Sequence, residues 1–150
     1  MAKSLTNGFT EKQVTLYTDH YYERADLVFR FGALLTGSRE GGERLTEETF
    51  RLLLEDFAQV NEDTSAPLLL MALAWKAWKK IKTERFHEWN VQILQSMKAL
   101  GVEQRAVLFA IEMAGLDIKE ASKVFGSDEN TVRKFLADSQ KHLAVSSIRA

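Results

Sequence analysis

Residues 115–143, GLDIKEASKVFGSDENTVRKFLADSQKHL, decide how the rest of this chain is read. Ile118, Ala121 and Phe125 recur at helical spacing, with the small Ser122 where a second helix would cross closely. Gly126 follows at once, and glycine ends a helix in the left-handed conformation without strain. Ser127 or Asp128 can then cap a second helix by accepting from free N–H groups in its first turn. In that helix Val132, Phe135, Leu136, Ser139 and Leu143 form an inward stripe, while Asn130, Thr131, Arg133, Lys134, Ala137 and Lys141 face away. Two short helices about a glycine corner, the second with a polar, partly basic outer face, fit a helix-turn-helix that enters a major groove. They also fit a packed helical corner that binds nothing. These residues alone leave both readings open.

Working outward, the chain reads as helices throughout. Val14, Tyr17, Tyr21, Val28 and Leu35 keep roughly a helical period from Glu11 to about Thr36, with Thr10 as N-cap. The glycines of TGSREGGE predict a loop. Leu45, Phe50, Leu53, Leu54 and Phe57 then share one helical face, and NEDTSAP breaks the pattern. Ser65 can cap the next helix, with Pro67 in its first turn, where a missing N–H costs little. Further helices are expected from about Trp89 to Ala99 and from Val102 to Ala114. Nothing alternates with period two for long enough to make a strand. The expected class is all-α: two small helical domains, 1–82 and 93–150, joined by a short linker over 83–92.

The composition is that of a globular chain of 150 residues, 45% apolar and 27% charged, with one proline. The absence of cysteine excludes disulfides and thiolate chemistry and fits a cytoplasmic setting. The longest apolar run, Ala66 to Trp75, is about half a membrane span, so no membrane partner is expected. A net charge of −1 conceals asymmetry: residues 1–63 carry seven Lys/Arg against twelve Asp/Glu, and residues 64–90 five against two. The basic excess lies in WKAWKKIKTER, residues 75–85. Trp75 and Trp78, interleaved with Lys76, Lys79, Lys80 and Lys82, suit stacking on single-stranded bases with neutralised phosphates. They equally suit a tryptophan-anchored core helix with a lysine-rich outer face.

An enzyme is not expected. His20, His87 and His142 stand alone, without the spacing that would hold a metal. GSREGG lacks the Lys-Ser/Thr of a phosphate loop, and the adjacent Glu47 and Glu48 point about 100° apart on a helix. No cofactor is implied.

The C-terminal residues resemble region 4 of bacterial extracytoplasmic-function sigma factors. Leu100, Arg105, Val107, Leu108, Gly115, Leu116, Glu120, Gly126, Thr131, Val132 and Arg133 take the places of that pattern, with Ala121-Ser122 where the family has Ile-Ala. Residues 15–57 are similar to region 2, whose docking motif reads here ERLTEETF, Glu43 to Phe50. The resemblance implies that Leu45, Glu47, Glu48, Phe50 and Leu54 bind the RNA polymerase core enzyme. It implies that Trp75, Lys76, Trp78, Lys79 and Lys82 hold the −10 promoter element, and that Asn130, Thr131, Arg133, Lys134 and Lys141 read the −35 element. It further implies an anti-sigma factor as a regulating partner. Several positions depart from the pattern. Arg44 replaces an acidic residue and Glu47 a glutamine, Pro67-Leu68 stands for Trp-Leu, the family's asparagine falls at Ala74, and its aspartate falls near Trp78. Two functions follow: an alternative sigma factor, or a sigma-like mimic that occupies an anti-sigma factor or polymerase without melting promoters.

Overall fold

The computed structural model describes residues 9–85 and 100–149, with side chains described as far as Lys141. The helix expected over 89–99, most of the connection expected over 83–92, and the Leu143 side chain lie outside the described residues. Every regular element among the described residues is helical.

Thr10 caps the first helix, α1 (Glu11–Leu16), reciprocally: its hydroxyl accepts from the Gln13 N–H at 3.1 Å, and the Gln13 side chain accepts from the Thr10 N–H at 3.0 Å. The expected single helix to Thr36 is interrupted. A π turn over Tyr17–Tyr21 and a 3-10 turn over Tyr22–Arg24 lead into α2 (Ala25–Thr36). The interruption sets both Tyr17 and Tyr21 edge-on to Phe57, with ring centroids 5.6 Å apart in each pair.

The expected glycine loop shrinks to two residues, Gly37 and Ser38. Gly37, at φ 67°, closes α2 in the left-handed conformation, and the Ser38 hydroxyl caps α3 (Arg39–Glu55). Gly41 and Gly42 are therefore helical and buried, contrary to the loop reading. They serve approach rather than turning. A Cβ on Gly32 would lie 2.8 Å from the Leu45 Cβ and 2.9 Å from the Gly42 Cα, and one on Gly42 would lie 2.8 Å from the Phe29 carbonyl oxygen. Gly32→Ala is expected to cost about 1–3 kcal/mol, even though alanine favours a helix by about 1 kcal/mol over glycine. Urea denaturation checks this; a stabilised variant would mean that α2 and α3 lie further apart.

Leu45, Leu53 and Phe57 of the expected face are buried and Phe50 is half-buried, but Leu54 is 40% exposed. A 17-residue helix presents only one stripe to its neighbours, and Leu54 lies beyond the stripe's edge. Ser65 caps α4 (Ala66–Ile81), with Pro67 in the first turn as expected. After Gly101 come α5 (Val102–Glu112), α6 (Ile118–Phe125) and α7 (Glu129–Arg149). One continuous apolar cluster joins α2, α3 and α4 to α5, α6 and α7, with Phe31 5.2 Å from Phe109 and Trp75 5.0 Å from Phe125 between ring centroids.

Candidate polymerase and nucleic-acid interfaces

Three surfaces correspond to the expected sites, and burial sorts their residues. On α3, Glu48 is only 3% exposed. Its carboxylate accepts from Arg51 Nε at 3.2 Å, from Lys80 Nζ at 2.8 Å and from Arg44 Nη1 at 3.3 Å. The Arg51 hydrogen bonds first, then those of Lys80 and Arg44, hold its carboxyl at about 2 against the opposing effect of burial. Arg44 also reaches Glu84 at 3.2 Å, so a residue that departs from the family motif finds its partners within the chain. Glu48 therefore does not present a charge to a partner: it ties α3 to α4 through Lys80. Leu45 is likewise withdrawn, being fully buried. What α3 displays is Glu47, whose side chain is 77% exposed, with Glu43, half-buried Phe50 and Leu54 at spacings of four, three and four along one face.

On α4, Trp75 is 6% exposed, its ring is set edge-on to Phe125 of α6, and its indole N–H is buried without an acceptor among the described residues. Stacking on a base is thus closed to Trp75 in this arrangement, because Phe125 already covers the ring. Trp78 is half-buried, and Lys76, Lys79 and Lys82 are exposed. Trp75, Trp78, Lys79 and Lys82 line a groove of about 350 Å³ with Val102 and Glu103 of α5. The Lys79 ammonium stands 6.0 Å from the Trp75 ring centroid.

The corner between α6 and α7 is built as its residues dictate. Asp117 and Glu120 cap the start of α6 reciprocally, at 2.7 and 3.0 Å. Gly126, at φ 64°, closes α6, and Asp128 accepts from the Thr131 N–H at 2.7 Å in the first turn of α7. That backbone hydrogen bond lowers the Asp128 pKa below its ordinary value. Val132 and Ser139 are buried, and Phe135 and Leu136 half-buried, on the inward stripe. On the outer face Asn130, Arg133, Lys134 and Lys141 are exposed and Thr131 is half-buried. Arg133 is held loosely by Asn130 at 3.3 Å and Glu129 at 3.5 Å.

The residue whose role was missed is Arg105. It lies buried on α5, donates from Nη2 to the Leu35 carbonyl at the end of α2 and from Nη1 to the Leu100 carbonyl, both at 2.8 Å, and meets no carboxylate among the described residues. Desolvation lowers its pKa. The available signal was an arginine immediately before the apolar run AVLFAI, residues 106–111. Among the described residues no group of three or more His, Cys, Asp or Glu could hold a metal ion, and no helix is long and apolar enough to cross a membrane.

No protein-family model and no curated protein matches the chain. Its fold is that of the sigma factor RpoE of Bartonella quintana, solved with the anti-sigma factor NepR: TM-score 0.68 at 11% identity, over 86% of this chain and 94% of that one. The anti-anti-sigma factor PhyR, solved with NepR from the same organism, is also similar, with TM-score 0.62 at 16% identity over 86% of this chain. The match spans 49% of the PhyR chain. The chain is all-α with a sigma-factor fold, and these structural neighbours are regulators rather than enzymes.

Proposed function

We propose that the chain is an alternative sigma factor of the extracytoplasmic-function type, acting in the cytoplasm to direct RNA polymerase to promoters. The observation that carries this reading is the unobstructed outer face of α7, where Asn130, Arg133, Lys134 and Lys141 stand exposed beside a capped glycine turn. In this reading that face meets the −35 element, Trp78 with Lys76, Lys79 and Lys82 serves the −10 element, and the Glu43–Leu54 strip of α3 docks on the core enzyme. The direct test is transcription from genomic DNA fragments by core polymerase with and without the purified chain. Absence of chain-dependent transcripts would defeat the proposal.

Side-chain replacement separates base reading from phosphate contact. Arg133 can pair bidentately with guanine, so Arg133→Ala is expected to cost about 1–3 kcal/mol of binding and to relax sequence preference. Lys141, two turns further along, suits a phosphate. Lys141→Ala should weaken all sequences alike and lower the slope of log affinity against log salt by about one unit. Titration of duplexes at several salt concentrations checks both, and equal loss across sequences for Arg133→Ala would place it on the backbone instead.

A second reading, a mimic that occupies an anti-sigma factor, is favoured by two specific features. Trp75 is covered by Phe125, and Glu48 is consumed by internal partners. The similarity to PhyR, solved with NepR, supports an anti-sigma factor as the partner. A stable complex with an anti-sigma factor, without affinity for core polymerase, would select it.

A further inference from the structure

Several cations of α3 and α4 are taken up inside the chain: Arg44, Arg51 and Lys80 all reach the Glu48 carboxylate. Lys79 and Lys82 differ. They stand one turn apart on α4, both exposed, and neither pairs with a carboxylate among the described residues, although Glu103 lines the same groove. Glu103 is exposed in the first turn of α5 and is likewise unpaired among them. Opposite charges that share a groove of about 350 Å³ without closing on each other leave room for a molecule that carries the complement of both. The apolar walls are the half-buried Trp78 of α4 and the half-buried Val102 of α5. Apolar walls with a few polar groups, at this volume, are the make-up of a small-molecule site. The fitting ligand has a flat ring for Trp78, an anion for the two lysines and an N–H edge for the carboxylate. A nucleotide carries all three. Guanine presents a ring N–H beside an amino group, which a carboxylate accepts as a pair, whereas adenine sets an acceptor beside its amino group.

We propose that the groove between α4 and the start of α5 binds a free guanine nucleotide, with the base on Trp78, its N–H edge on Glu103 and its phosphates on Lys79 and Lys82. The stack on an aromatic ring and the charge-assisted hydrogen bonds supply the affinity. The inference stands independently of the promoter reading. Where that reading holds, the nucleotide and a single strand compete for Trp78, Lys79 and Lys82, while the outer face of α7 lies outside the groove and stays free.

Isothermal titration calorimetry of the full chain with GDP, ADP, guanosine and inorganic pyrophosphate reads each part of the site. GDP should bind about tenfold or more tightly than each of the other three. Glu103→Gln should bring GDP to within about threefold of ADP, because the paired acceptors are lost. Lys79→Gln with Lys82→Gln should weaken GDP about tenfold and leave guanosine unchanged. These three side chains are exposed, so the variants should keep the native helical circular dichroism. Trp78→Leu should weaken GDP and guanosine alike, by about tenfold; should it fail to fold, the charge variants still decide. Absence of GDP binding at millimolar concentration overturns the site. So does pyrophosphate binding as tightly as GDP, which would make the lysines a general anion patch, or a guanine preference that Glu103→Gln leaves in place. A guanine-containing single-stranded oligonucleotide that binds through Glu103 while free GDP does not would overturn it too, assigning the groove to a base within a strand. Chain-dependent transcription is measured separately, so failure of this site leaves the promoter reading standing.

Discussion

Glu48→Lys is expected to cost about 3–5 kcal/mol of stability, since it removes the carboxylate from a buried cluster and adds a cation beside three others. A domain of this size has about 5–15 kcal/mol to lose. Lys80 and Arg44 would be left facing like charge between α3 and α4, so the damage reaches the contact of two helices and not a surface pair. Urea denaturation at neutral pH checks this; a loss below about 1 kcal/mol would mean that Glu48 is solvated. The same cluster predicts an acid dependence. The folded chain holds the Glu48 carboxyl at about 2, below the ordinary carboxylate range that applies on unfolding. The stabilisation is therefore complete above that ordinary range and is lost as the pH falls from about 5 towards 2. Glu48→Gln should flatten that part of the stability–pH curve. For the docking strip the informative change is Glu47→Lys: the side chain is 77% exposed, so polymerase affinity should fall while the urea midpoint stays nearly fixed.

Trp75→Ala is expected to destabilise the chain by about 3–5 kcal/mol, the usual range for a buried aromatic truncated to a methyl group. The ring is 6% exposed and packs on Phe125, so its removal empties space in α4 and uncovers α6 together. Trp78→Ala, at a half-buried position lining the open groove, should cost less. Thermal unfolding of the two variants side by side decides the matter. Equal losses would mean that Trp78 is as much a part of the core as Trp75, leaving no tryptophan of this helix for a base.

The helix-to-helix corner was legible because its signals are local. Gly126 ends α6 and Asp128 caps α7 through neighbours within a few residues, and the inward and outward faces of 130–141 follow from one helical period. Thr10 and Ser65 were legible as caps for the same reason. The resemblance to sigma regions 2 and 4 supplied the all-α sigma-type fold, and the solved sigma-factor structure matches that fold over 86% of the chain.

The glycines show where local signals mislead. In sequence, Gly41 and Gly42 read as a loop because glycine does mark turns. In the structure only Gly37 turns the chain, and the other two are small because α2 passes against them. A glycine that makes room for a neighbour and one that bends the chain look alike until the neighbour is placed. Leu54 carries the same lesson: helical spacing put it with Leu53 and Phe57, but the width of the buried stripe depends on what packs against it.

By itself, then, the sequence determined the class, the caps Thr10 and Ser65, a choice between Ser127 and Asp128 for the cap of α7, and an outward set in which Asn130, Arg133, Lys134, Ala137 and Lys141 are exposed and Thr131 is half-buried. These depend on dihedral preferences and hydrogen bonds spanning three or four residues. Tertiary structure alone decided that Glu48 is a buried tie, that Trp75 is covered while Trp78 is only half-buried, and that Arg105 reaches the end of α2. Those outcomes rest on partners far away in the chain: Lys80 lies 32 residues from Glu48, and Leu35 lies 70 from Arg105. A side chain's helical face fixes the direction in which it points, but whether it then meets water or protein is set by the element folded against it.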